Sequence, residues 1–144
     1  MPQQGPFSLC FANATDFTNF TYEVKMQIIQ GTEGGIIFRA NYTDGTFYYF
    51  HINRNDTYGL DIYSGNLPTK TLIQGSTSAI LTDIGQTDRV GVVANGNKID
   101  LYVNMQYITT VYDSTYTSGK IGVVADAIDA PTEVAFSDAK VYKL

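Results

Sequence analysis

The chain has 144 residues and a formal net charge of −5, which is enough for one domain with a hydrophobic core and short for two. No run of lysine or arginine occurs, which argues against a nucleic-acid partner and against polybasic attachment to an anionic membrane. No apolar segment reaches the length that a bilayer requires, so we expect no membrane insertion.

The N-terminal part of the chain has the apolar and polar alternation of a β-protein. Residues 7–11 are predicted to form the first strand, and Cys10, the only cysteine, is expected to be a buried small hydrophobe. From 20 to 28, apolar and polar residues alternate with period two, which predicts a long strand with one buried face. The adjacent Ile28 and Ile29 break this alternation and indicate a bulge.

Three consecutive strands are predicted in the middle of the chain, at about 35–41, 46–54 and 58–64. An Asp-Gly turn at 42–45 joins the first two, because glycine tolerates a positive φ. Side chains alternate across a strand, so the apolar residues of these strands are expected to point inward and the others outward. The outward set is predicted to contain Arg39, Tyr49, His51, Asp61 and Tyr63.

The remaining half of the chain is also rich in strand and turn signals. Residues 65–87 are irregular, with short extended pieces predicted at 70–74 and 79–82, and Asn95-Gly96-Asn97 is a hairpin signal. No helical period of ten residues occurs, and many short strands joined by Gly, Asn and Asp turns predict an all-β sandwich or barrel. The predicted strands of this half lie at 88–95, 99–103, 106–112, 120–125 and 133–144.

Several short motifs, taken in order along the chain, resemble those of one family. They are Gly34-Gly-Ile-Ile-Phe-Arg39, Tyr48-Tyr-Phe, Tyr58-Gly-Leu, the stretch 89–104, Ser118-Gly-Lys-Ile-Gly-Val-Val-Ala125 and the stretch 134–142. Together they resemble the concanavalin-like, laminin-G-like domains of the bacterial 3-keto-disaccharide hydrolase-like family, which is related to levan-type carbohydrate-binding modules. The resemblance implies one domain over residues 1–144, an antiparallel two-sheet β-sandwich of the concanavalin A-like jelly-roll type. It also implies that Arg39 lies in the sugar-binding region.

The outward set has the side chains that sugar recognition requires. Aromatic rings pack against the C–H face of a sugar, while an arginine fork and a carboxylate bind paired hydroxyl groups. The alternative is that Arg39 and Asp61 form a cross-strand ion pair among surface aromatics. His51 has no histidine or cysteine companions, which favours a structural or ligand-contacting role over a zinc site.

The preferred function is a non-catalytic carbohydrate-binding module of a secreted or cell-surface bacterial protein, with a glycan or polysaccharide as partner. Other domains of a longer parent protein are further expected partners, and extracellular or surface localisation follows from the resemblance. The alternative is a protein-interaction or spacer domain of a surface receptor without sugar affinity. A glycosidase-like enzyme is disfavoured, because the clustered Glu-x-Asp-x-x-Glu pattern of jelly-roll glucanases is absent.

No cofactor or metal is expected, and calcium is the alternative. Aspartates in or near turns offer the oxygen ligands that calcium prefers, although such aspartates more often bond to local backbone donors. These aspartates are Asp16, Asp126, Asp129 and Asp138.

Overall fold

A computed structural model describes residues 7–11, 16–126 and 132–144, and side-chain surroundings for 16–125 and 132–144. Within these ranges the regular structure consists of β-strands, and no helix there is long and apolar enough to cross a bilayer. The strands are β1 (Phe7–Phe11), β2 (Phe20–Gln30), β3 (Glu33–Asn41), β4 (Thr46–Asn53), β5 (Thr57–Ser64), β6 (Leu67–Ser76), β7 (Thr87–Asn95), β8 (Lys98–Val103), β9 (Gln106–Tyr112), β10 (Lys120–Asp126) and β11 (Glu133–Lys143).

The described strands form two antiparallel sheets. The six-stranded sheet has the order β1-β10-β3-β4-β5-β6, and the five-stranded sheet has the order β11-β2-β7-β8-β9. One face of each sheet contributes to a shared hydrophobic core, so the chain is an antiparallel two-sheet β-sandwich. The predicted all-β jelly-roll fold is confirmed.

The core follows the alternation of the sequence most closely in β2, whose burial alternates from Phe20 to Ile28 as predicted. Each fully buried apolar side chain contributes about 1.5–3 kcal/mol, so this stripe anchors β2 to the opposite sheet. The predicted bulge is also present: Ile28 pairs with Val134 and Gln30 with Glu133, which leaves Ile29 between them.

The segment after β5 differs from its prediction. β6 is one strand from Leu67 to Ser76, and two register shifts in its pairing with β5 obscure the period-two pattern. The extended piece predicted at 79–82 is not a strand. The Leu81 N–H donates to Asp88 Oδ1 over 2.9 Å. This backbone donor therefore bonds to a side chain and not to the backbone of a neighbouring strand.

A second bulge, in β3, changes the direction of the side chains at its end. Phe38 pairs with Tyr48 and Asn41 with Thr46, so Arg39 and Ala40 together lie opposite Phe47. Arg39 has a φ of 49°, an uncommon value for a residue with a side chain. Because of this extra residue, the residues after Phe38 do not lie on the faces that strict alternation predicts for them.

Candidate functional site

The bulge separates Arg39 from the other residues of the predicted outward set, so the predicted position of Arg39 is wrong. Its side chain is buried, with 1% of its surface exposed. Nη2 and Nε donate to the Thr18 carbonyl over 2.7 and 3.3 Å, and Nη1 donates to the Tyr116 carbonyl over 3.2 Å. Arg39 therefore joins two loops at one end of the sandwich, and the alternative of an ion pair with Asp61 is wrong as well.

A network of polar groups surrounds Arg39 at this end. Tyr48 Oη donates to Asp113 Oδ1 over 2.6 Å and accepts from the Tyr116 N–H over 3.1 Å. Burial, together with the bond to Asp113, raises the pKa of Tyr48 to about 12. Burial lowers the pKa of Arg39. Burial would raise the pKa of Asp113, but hydrogen bonds from Tyr48 and Thr115 outweigh it and lower that pKa. These groups hold loops together, and sequence reasoning placed none of them at this end.

Tyr49 and Tyr63 face outward from the six-stranded sheet as predicted, but both are buried, at 1% and 6% exposure. Phe47 stacks on Tyr63 with ring centroids 4.8 Å apart, and Tyr49 meets the edge of Tyr63 at 5.8 Å. They belong to a second, smaller apolar cluster on this face. Both rings are therefore buried in this cluster and present no exposed face on which a ligand could stack.

His51 and Asp61 lie together on the same outer face, as predicted. His51 Nε2 lies 3.0 Å from Asp61 Oδ2, and Nδ1 lies 3.5 Å from Glu33 Oε1. Asp61 is hydrogen-bonded to Nε2, and Glu33 lies at ion-pair distance from Nδ1. A Cβ on Gly59, which pairs with His51, would lie 2.7 Å from the imidazole Cε1, so glycine is required for the ring to reach Asp61.

Glu33 is a site residue that the sequence prediction missed. It is 6% exposed, accepts from Asn53 Nδ2 over 2.8 Å, and accepts from Tyr49 Oη over 3.2 Å. The signal that would have found it is the register, because Glu33 at the start of β3 pairs with Asn53 at the end of β4. Glu33 and Asp61 together fix the orientation of His51, and Glu33 also fixes Asn53.

A hollow of about 510 Å³ lies beside His51, where β4, β5 and β6 are adjacent. One row of the sheet crosses it, in which His51 pairs with Gly59 and Gly59 with Gln74. The amide and hydroxyl groups beside the imidazole ring can bond to hydroxyl groups of a ligand. The lining residues are His51, Asn53, Thr57, Tyr58, Gln74, Gly75 and Ser76.

Acidic side chains do not assemble into a cation site within the part of the chain that the structure describes. There, no group of three or more His, Cys, Asp or Glu side chains is arranged to hold a metal ion. Asp138 instead lies within 4 Å of Lys25, Arg89 and Lys140 and is paired with these basic side chains. Asp129 lies outside the described residues, as does the side chain of Asp126.

Comparison with known proteins gives structural but no sequence relatives. No family model and no curated protein matches the sequence. The carbohydrate-binding module CBM66 from Bacillus subtilis is similar with a TM-score of 0.83 and 15% identity, over 96% of this chain and 83% of that one. Sheep galectin-11, in complex with glycerol, is similar with a TM-score of 0.67 and 12% identity, over 97% and 100%. A glycosidic hydrolase is similar with a TM-score of 0.64 and 14% identity, over 89% of this chain and 66% of that one.

At these identities the comparisons establish the jelly-roll sandwich fold. The fold that the sequence motifs implied is therefore confirmed. Membership of the 3-keto-disaccharide hydrolase-like family stays a prediction.

Proposed function

We propose that the chain is a non-catalytic carbohydrate-binding module that binds a glycan in the hollow beside His51. The observation that carries this proposal is the orientation of His51 and Asn53 by the carboxylates of Glu33 and Asp61. Planar polar groups that are fixed before the ligand arrives lose little conformational entropy on binding, which favours affinity for a hydroxyl-rich ligand.

The composition of the hollow also supports this ligand class. A sugar presents hydroxyl groups that both donate and accept, and the hollow offers carboxamide and hydroxyl groups beside the imidazole ring of His51. The similarity to CBM66, which is a carbohydrate-binding module by name, points the same way. We propose further that the module belongs to a secreted or cell-surface protein and needs no metal.

The main test is a binding screen of the folded protein against fructans, xylans and β-glucans, with and without EDTA. Gln74 is exposed and lines the hollow, so Gln74→Ala should stay folded and weaken binding. His51→Ala should weaken binding more, by about tenfold, which corresponds to about 1.4 kcal/mol. Asn97→Ala, in the exposed hairpin between β7 and β8, is the control and should bind as the wild type does.

The outcomes separate the candidate functions. If the folded protein bound none of the glycans in the panel, the proposal would be overturned in favour of a protein-interaction or spacer domain. Release of shortened sugar products would make the chain an enzyme. Loss of binding in EDTA would show that a metal takes part, contrary to the proposal.

A further inference from the structure

A second depression lies on the opposite side of the molecule, at the centre of the outer face of the five-stranded sheet. It has a volume of about 230 Å³. One row of the sheet crosses it, in which Glu23 pairs with Gly91 and Gly91 with Tyr102. The lining residues are Thr21, Tyr22, Glu23, Arg89, Gly91, Val92, Val93, Tyr102 and Met105.

The backbone does not require glycine at the centre of this depression. Gly91 lies inside β7 in regular register with both neighbouring strands, and it is not among the glycines of positive φ. An added Cβ would lie 3.4 Å from the Glu23 Cβ and 3.8 Å from the Tyr102 Cβ, which are ordinary contacts. Glycine inside a strand lowers stability, and it often marks a place where a ligand approaches the backbone closely. The open space is thus kept at the expense of strand stability.

The two walls of the depression carry complementary chemistry. On one side, the ring of Tyr102 is held by Tyr107 in an edge-to-face contact at 5.9 Å, and Tyr107 Oη lies 2.7 Å from Thr110 Oγ1. On the other side, Arg89 Nη1 lies 3.0 Å from Glu23 Oε1. An aromatic wall thus faces a guanidinium and a carboxylate held side by side, which together offer donors and acceptors.

The end of the depression is held by a strained turn. Asn104 and Met105, between β8 and β9, have φ values of 52° and 66°. The Asn104 side chain accepts from the Arg89 N–H over 2.8 Å and donates to the Ala79 carbonyl over 2.7 Å, which fixes the turn beside Arg89. Met105 is 79% exposed, so a flexible apolar side chain stands at the rim of the depression.

We propose that this depression is a second glycan subsite that takes one sugar ring, so that the module binds glycans on both faces of the sandwich. Its volume lies below the range of about 300–1,000 Å³ that is typical of sites for drug-sized ligands, which suits a single ring. The ring packs its C–H face on Tyr102, and its hydroxyl groups bond to Arg89 and Glu23. The ligand class rests on the proposed function, whereas the subsite shares no residue with the hollow beside His51.

The subsite is tested by NMR titration of the ¹⁵N-labelled protein with methyl glycosides and short oligosaccharides of fructan, xylan and β-glucan. The wild type should show two separate sets of shift changes, one around His51 and one around Gly91 and Tyr102. Gly91→Val fills the depression and favours the strand, so it should lose the second set, keep the first, and melt at the same or a higher temperature. Tyr102→Ala should also lose the second set. Tyr112→Ala removes an exposed tyrosine that does not line the depression and should keep both sets.

Each outcome decides the proposal. Shift changes around His51 alone, identical in wild type and Gly91→Val, would overturn the second subsite and leave the proposed function intact. Changes around Gly91 that survive in His51→Ala and vanish in Gly91→Val would establish it as an independent subsite. No changes anywhere in folded protein would overturn both proposals.

Discussion

Replacing Arg39 with methionine removes a buried cation while keeping most of the volume of its stem. Three N–H groups of Arg39 donate to two carbonyl oxygens, those of Thr18 and Tyr116. Hydrogen bonds to a charged group contribute about 1.5–3 kcal/mol, and the lower value applies here because both acceptors are part-buried. With two acceptors left without their donor, we expect the free energy of unfolding to fall by about 3 kcal/mol, or the melting temperature by about 10 °C.

The assay is urea unfolding followed by tyrosine fluorescence and circular dichroism, since the chain contains no tryptophan. Arg89→Met is the matched control, because Arg89 forms partly exposed ion pairs that contribute about 1 kcal/mol or less. A total stability of about 5–15 kcal/mol leaves Arg39→Met folded at low temperature, so its glycan binding can be measured there. Equal and small losses in both variants would refute the structural role of Arg39. If Arg39→Met were as stable as the wild type but bound no glycan, Arg39 would be a residue of the ligand site.

Three further predictions concern buried acids, hydroxyls and strained turns. Burial raises the pKa of Asp88, so the folded state holds this proton at a pH where the unfolded chain has lost it. The free energy of unfolding should therefore fall as pH rises from 3.8 through the raised pKa. In urea unfolding, Asp88→Asn should lack this fall; the same fall in the variant would show that Asp88 is not its cause. Tyr48→Phe loses the hydroxyl that bonds to Asp113, and its free energy of unfolding should be about 1–2 kcal/mol lower; wild-type stability would show that the bond contributes nothing. Met105→Gly removes the side chain from a residue with a φ of 66°, so its free energy of unfolding, measured in a thermal melt, should be about 1 kcal/mol higher. A lower value would show that the side chain stabilises the turn.

Alternation along single strands was enough to predict most of the fold. The burial of β2 and the bulge at Ile29 both follow from a local pattern of apolar residues. The hairpin at Asn95-Gly96-Asn97 likewise follows from local turn chemistry, since it joins β7 to β8. These features could be predicted because each one depends on neighbours in the sequence.

The candidate site was predicted only in part, because its geometry depends on strand pairing. The placing of His51 and Asp61 on one face could be predicted, since the facing of β4 and β5 was correct. Arg39 was placed wrongly because a bulge adds one residue to β3 and no local signal marks it. The burial of Tyr49 could not be predicted, since its apolar cluster includes Val124, which β10 brings from a distant part of the sequence.

The strand order also sets when this protein can fold during synthesis. β2 pairs on one side with β11, so Phe20 meets Lys143 only after more than a hundred further residues have been made. β3 likewise pairs on one side with β10, which is made much later. Until then both strands present unpaired backbone edges next to apolar side chains, which is the state most prone to aggregation and the one that chaperones recognise. Folding should therefore be slow, and the yield of native protein should depend on how well these early edges are protected while the late strands are made.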